Sequence, residues 1–198
     1  MAQPLHLIYI TGLGDTKAPR GQLWAVARWA KYGVEAELFQ MRWGDKEDWQ
    51  PKYARLLARI DELLKQGKAI GLVGASAGAS AAINVFAARQ DKLVGVVLIA
   101  GKVNRPKAIG KVHYTENPAL PQSVKQCVRS LEGLGPEARR RILSRYGLFD
   151  ETVKRSDSFI PGARNQAAPT MSHFFNIAFQ LTLGARSFIN FLKRLNDS

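Results

Sequence analysis

Short apolar runs alternate with helical patterns along this chain, the arrangement expected of a parallel sheet covered by helices on both faces. Leu5 to Ile10 reads as a first strand, followed by a glycine loop, Thr11-Gly12-Leu13-Gly14-Asp15. From Gln22 to Lys31 the apolar residues Leu23, Trp24, Val26, Ala27 and Ala30 fall at helical spacing, and Gly33 closes the helix. Val34 to Met41 alternates like a strand, with Val34, Ala36 and Leu38 on one side. Pro51 suits the start of a helix that reaches Gln66 and ends at Gly67. The runs Lys68 to Val73 and Leu93 to Ala100 are nearly continuous in apolar residues, as central strands buried on both faces require. Ala77 to Arg89 between them is an alanine-rich helix, which completes a strand–helix–strand crossover.

After Gly101 the pattern loosens. Residues 102–121 carry prolines at 106, 118 and 121 and few large apolar side chains, which predicts a surface loop or a small lid. Ser123 to Leu131 reads as a helix. Pro136 to Tyr146 suits a helix by composition, yet Arg141 to Tyr146 also reads as a strand ending near Asp150, and the alternation of elements favours the strand. A short helix or turn from Val153 to Phe159 and a weak strand from Ala163 to Ala168 follow. One last helix is expected from Phe174 to Leu195, its apolar face formed by Phe175, Ile177, Ala178, Leu181, Phe188, Ile189 and Leu192. A chain of 198 residues is long enough for one sizeable core and short for two, so residues 1–198 are expected to form a single domain. The fold class that results is α/β, a three-layer α/β/α sandwich on a mostly parallel sheet of about six strands.

Composition changes this picture little. A hydrophobic fraction of 46% and a charged fraction of 23% belong to an ordinary globular protein, and no apolar run is long enough to cross a bilayer. The N-terminus lacks the basic start and small-residue cleavage site of a signal peptide. Cys127 is the single cysteine, so no internal disulfide forms, which fits a reducing compartment and makes the cytoplasm the default location. Charge is the unusual property: 29 basic against 16 acidic residues give +13. Such a field favours anionic partners, whether nucleic acid, a membrane surface or a substrate. The basic residues are spread out apart from Arg139-Arg140-Arg141 and Arg145, and none is interleaved with stacking aromatics. Nucleic acid is therefore not an expected partner. A solvated basic surface is the simpler reading, with an anionic substrate or peripheral contact with an anionic surface compatible with it.

The strongest chemical signal is Gly74-Ala75-Ser76-Ala77-Gly78, set between a buried strand and a helix. A nucleophilic serine needs a sharp turn that lifts its hydroxyl toward substrate, and glycines two before and two after it relieve the crowding. The N-terminus of the following helix then supports a developing oxyanion. Two rivals are a turn that merely packs helix on sheet and a phosphate-binding loop. The second lacks the lysine it requires, and Gly12 and Gly14 lack the third glycine of a dinucleotide fingerprint.

A serine nucleophile needs a base, and the candidates are His6, His113 and His173. His6 lies inside the first strand and His113 in the proposed lid. His173 precedes the final helix, which in such a sheet lies beside the serine turn, so it is the expected general base. Asp150, at the end of the penultimate strand, is the first choice to orient that histidine; Asp157 is the reserve and Glu151 the weaker candidate. Backbone donors for the oxyanion are expected from Ala77, just after the nucleophile, and from Leu13 in the first glycine loop.

The elbow at Gly74 to Gly78, the loop after the first strand and the order Ser76, Asp150, His173 together resemble the α/β-hydrolase superfamily. The segment Thr11-Gly12-Leu13-Gly14-Asp15-Thr16 is similar to the oxyanion loop of its carboxylesterase and acyl-protein thioesterase branch, with Thr11 where a histidine is usual. Asp150-Glu151-Thr152-Val153 resembles the branch's acid segment, and Ser172 replaces the usual glycine before His173. The resemblance spans residues 5–195 and implies a minimal form of the fold that opens on what is elsewhere the third strand. It also implies hydrolysis of a small-molecule carboxylic ester or thioester through an acyl-serine, without metal or cofactor. From a different class, a non-catalytic binding module would keep the fold and dock an anionic partner through its basic surface.

Overall fold

The structure is a computed structural model that describes residues 4–15 and 19–197. Thr16, the last residue of the loop quoted above, lies outside the described residues. Six strands form one sheet in the order β2-β1-β3-β4-β5-β6: β1 (Leu5–Ile10), β2 (Glu35–Phe39), β3 (Ala69–Ala75), β4 (Leu93–Ile99), β5 (Ile142–Gly147) and β6 (Arg164–Ala168). Every pairing is parallel, so the sheet expected to be mostly parallel is wholly so. Central β1, β3 and β4 are buried along nearly their whole length, while the edge strands β2 and β6 expose Glu35 and Arg164. Charge on the edges blocks pairing with another sheet.

Helices cover both faces. On one lie α2 (Trp49–Lys65), α3 (Ala77–Ala88) and α5 (Ala119–Gly133); α4 is a single turn at His113–Glu116. Alanine and glycine dominate α3, so its backbone sits close against the sheet, and every residue from Ala77 to Phe86 is buried. Its two buried polar side chains meet α5: Ser80 and Ser123 hydroxyls lie 2.8 Å apart, and the Asn84 amide donates to the Ser123 carbonyl at 3.0 Å. On the opposite face lie α1 (Arg20–Ala27), α8 (His173–Leu181) and α9 (Ala185–Asn196). There Leu192 of α9 fills a slot left by Gly71 and Gly95, where an added Cβ would lie 3.1 and 3.3 Å from its methyls. Tyr9, Trp29 and Phe188 stack edge to face at 6.1 and 5.3 Å, which locks the turn after α1 onto α9.

Between Pro136 and Gly147 both readings of the sequence hold in turn: α6 (Pro136–Arg140) leads directly into β5. The helix expected from Ser123 starts earlier, at Ala119, because Pro118 and Pro121 occupy its first turn, where a missing N–H costs nothing. A last short helix, α7, spans Arg155–Ser158. The C-terminal helix differs from expectation, since it is two helices broken at Thr182–Gly184. The Trp29 indole claims the Leu181 carbonyl (2.9 Å) and the Thr182 hydroxyl claims that of Ala178 (2.7 Å), so the ladder does not continue. Phe175, placed by periodicity on the apolar core face, is 69% exposed. Among the described residues no helix is long and apolar enough to cross a membrane.

Candidate active site

Ser76 sits at the turn from β3 into α3 with φ 51° and ψ −119°, a conformation that costs a non-glycine residue about 1–3 kcal/mol. The surrounding backbone imposes it. The Ser76 N–H donates to Ile99 (2.9 Å) and its carbonyl accepts from Lys102 (3.0 Å), which ties both sides of the turn to the end of β4. A Cβ on Gly74 would stand 2.6 Å from the Gly78 carbonyl, and one on Gly78 would strike the carbonyls of Ile10 and Thr11. Glycine at both positions is therefore a requirement of contact with backbone, which cannot yield.

His173 opens α8. Its Nε2 lies 3.0 Å from the Ser76 Oγ and its Nδ1 lies 2.8 Å from Asp150 Oδ2. Asp150 follows β5, and its other oxygen accepts the backbone N–H groups of Val153 (2.7 Å) and Thr152 (3.0 Å). Burial pushes its carboxyl up, but the bonds from His173 and from those N–H groups outweigh it and hold the carboxyl below its ordinary range. The remaining candidates lie elsewhere. Asp157 is buried in an ion pair with Lys102 (2.7 Å) and also accepts the Lys154 N–H, so it is committed to holding the loop after β4. Glu151 accepts the backbone N–H of His173 at 3.0 Å and steadies the start of α8 from outside. His6 is buried at the far end of β1 between Glu35 and Glu37, and His113 pairs with Asn117.

The loop after β1 crosses directly over the serine, since a Cβ on Gly12 would lie 2.9 Å from that of Ser76. Among the described residues nothing accepts the N–H of Leu13 or of Ala77. Asp15, quoted in the sequence only as part of the loop, proves to be its clamp. Its buried carboxylate accepts the Thr11 hydroxyl (2.5 Å) and the N–H groups of Arg42 (2.7 Å) and Trp43 (2.9 Å). The Trp43 indole closes the knot on the Thr11 carbonyl (2.8 Å). No motif spacing signals this role, because the partners lie in the 3-10 turn around residue 43.

Ser76 separates two clefts. The larger, about 720 Å³, runs between α1 and α8 over an apolar lining that includes Trp24, Ala25, Phe174, Ile177 and Leu181. The smaller, about 120 Å³, is lined by Lys102, Ile109, His113 and Leu120 together with Leu13 and Ala77. No group of three or more histidine, cysteine, aspartate or glutamate side chains suited to hold a metal occurs among the described residues.

No protein-family model and no curated protein matches the chain. Its likeness is to solved structures. The metagenome-derived lipolytic enzymes LipS and LipT give a match with TM-score 0.73 and 11% identity, over 98% of this chain and 95% of that one. Est1E from Butyrivibrio proteoclasticus gives TM-score 0.71 and 14% identity over 98% and 89%. Human thioesterase 2 gives 0.59 and 12% over 96% and 97%. At such identities the shared property is architecture, and on that ground this chain has the α/β-hydrolase fold.

Proposed function

We propose that the protein is a serine hydrolase that cleaves a carboxylic ester or thioester through an acyl-serine intermediate. The observation that carries this reading is the continuous relay from Ser76 Oγ to His173 Nε2 at 3.0 Å and from His173 Nδ1 to Asp150 at 2.8 Å. In the proposed reaction Ser76 attacks the carbonyl carbon while His173 takes its proton. Asp150 holds the imidazole with Nε2 free to accept, and stabilises the imidazolium that forms. The N–H groups of Leu13 and Ala77 receive the negative oxygen, aided by the N-terminus of α3. Collapse expels the alcohol or thiol, which takes the proton from His173 and leaves the acyl group on Ser76. Water, deprotonated by the same histidine, then releases the acid and restores the serine. Nothing in this sequence of steps calls for a metal or cofactor.

The large cleft supports an apolar acyl chain as the group held beside Ser76, its volume falling in the range of about 300–1,000 Å³ usual for small-molecule sites. The leaving group is assigned to the smaller cleft, whose lining includes Ile109, His113 and Leu120 from the segment 102–121 proposed as a small lid. The lipolytic and thioesterase names of the structural neighbours agree with this substrate class. The single cysteine, Cys127, is buried, and the cytoplasm is the proposed location.

Hydrolysis of p-nitrophenyl esters of increasing acyl length tests the reading. Wild type is expected to prefer chains longer than acetyl, and Ser76→Ala to lose about a million-fold in kcat. Folded wild type that cleaves none of the series, or a Ser76→Ala variant as active as wild type, contradicts it. The first outcome favours a non-catalytic module of the same fold.

A further inference from the structure

Helix α8 divides its apolar residues between two sides. Leu181 is buried and Ile177 packs against the core beside the buried polar side chains Asn176 and Gln180, whereas Phe174 and Phe175 point to solvent, 74% and 69% exposed. Between this helix and β5 four buried side-chain atoms find no partner among the described residues: Arg145 Nε, Thr170 Oγ1, Asn176 Nδ2 and Gln180 Oε1. The outward phenylalanines belong to a continuous apolar face. Met171, 79% exposed, shares a surface depression with Phe175 and Phe179. Exposed Phe149 joins it through its N–H to the Thr170 carbonyl. At the other end Phe174 and Trp24 form the mouth of the large cleft.

We infer that this face docks on an anionic lipid surface, with the large cleft opening toward it. An exposed apolar face of this extent marks an interaction site. Its occupant follows from charge. The chain carries +13, so two copies repel one another while an anionic surface attracts each of them. Basic side chains also stand at the apolar rim: Arg20 lines the cleft mouth, and the Arg28 guanidinium lies 4.8 Å from the centre of the Trp24 ring. The carboxylate of Glu151, exposed beside the face, accepts the N–H at the start of α8. Aromatic and methionine side chains then enter the interface while arginines meet the headgroups.

The inference does not rest on the hydrolase reading, and its test reads binding alone. Ser76→Ala protein is sedimented with phosphatidylcholine vesicles and with equimolar phosphatidylcholine–phosphatidylglycerol vesicles. Binding to the mixed vesicles is expected, at least about tenfold weaker to the neutral ones and weakened by added salt. Adding Met171→Ser and Phe175→Ser is expected to lower the partition coefficient at least about tenfold, since each loses the burial of a large apolar side chain. The melting temperature checks that this variant is folded. Equal binding by the variant, equal binding to neutral vesicles or no binding at all overturns the inference. So does a dimer in analytical ultracentrifugation that the same two substitutions dissolve, because the face then belongs to a second copy.

Discussion

The turn that carries Ser76 is held by backbone: Gly74 and Gly78 touch carbonyls, and α3 behind them is buried along all but its last residues. Around His173 the support is of another kind. A loop and a helix rest on β5 over unpartnered polar atoms, and the ring is aimed by Asp150, whose own position depends on two N–H bonds. One half of the site is fixed by close packing of the chain, the other by a few directed hydrogen bonds. The difference teaches where each kind of substitution should hurt. On the serine side shape matters most; on the histidine side the identity of one hydrogen-bonding atom does.

The sharpest way to break this contrast is Asp150→Asn, which keeps the shape and removes the acceptor charge. We expect kcat for ester hydrolysis to fall about ten-thousandfold with little change in KM. Asp157→Ala should do the reverse. It strands the buried ammonium of Lys102 and is expected to lower stability by about 3 kcal/mol in urea unfolding, while kcat of the folded fraction stays within severalfold. Comparable activity losses in the two variants would mean that the Asp150 contact is not what directs the histidine.

Shape is probed by Gly78→Ala, whose methyl would meet the Ile10 carbonyl. A loss of about 3 kcal/mol is expected from such overpacking, against a change within about 0.5 kcal/mol for Phe175→Ser on the exposed side of α8. Native-state hydrogen exchange sharpens the same comparison. Amides of α8 are expected to exchange faster than those of α3, because buried polar atoms without partners lie beneath α8 while α3 is buried along nearly its whole length. Equal protection would contradict it.

Acid titration gives a smaller effect with a defined sign. The Asp150 carboxyl lies below the ordinary value of about 3.9, so the unfolded chain binds its proton more tightly than the folded one. Its contribution to stability is present above about pH 4 and fades as pH falls through the lower folded value. Unfolding free energy of wild type should therefore rise with pH across that window, and Asp150→Asn should flatten the rise.

How much of this was legible in the sequence follows the same division. The strands, the elbow and the alanine-rich helix are local patterns, and close packing makes their glycines conspicuous. The histidine and its acid were reachable only as candidates, because the bonds joining residues 76, 150 and 173 depend on tertiary placement. Asp15 was overlooked for the same reason, its partners at Arg42 and Trp43 being invisible to spacing. Helix α8 misled in part. Periodicity grouped Phe175 with Ile177 and Leu181, which do pack on the core, but Phe175 itself lies on the exposed side.

The central claim, that Ser76 is a nucleophile made reactive by His173, is tested most directly by a fluorophosphonate probe followed by peptide mapping of the adduct. A single adduct on Ser76 in folded wild type, absent from Ser76→Ala and strongly slowed in His173→Ala, is the predicted result. Folded wild type left unlabelled, or labelled at another residue, would contradict it.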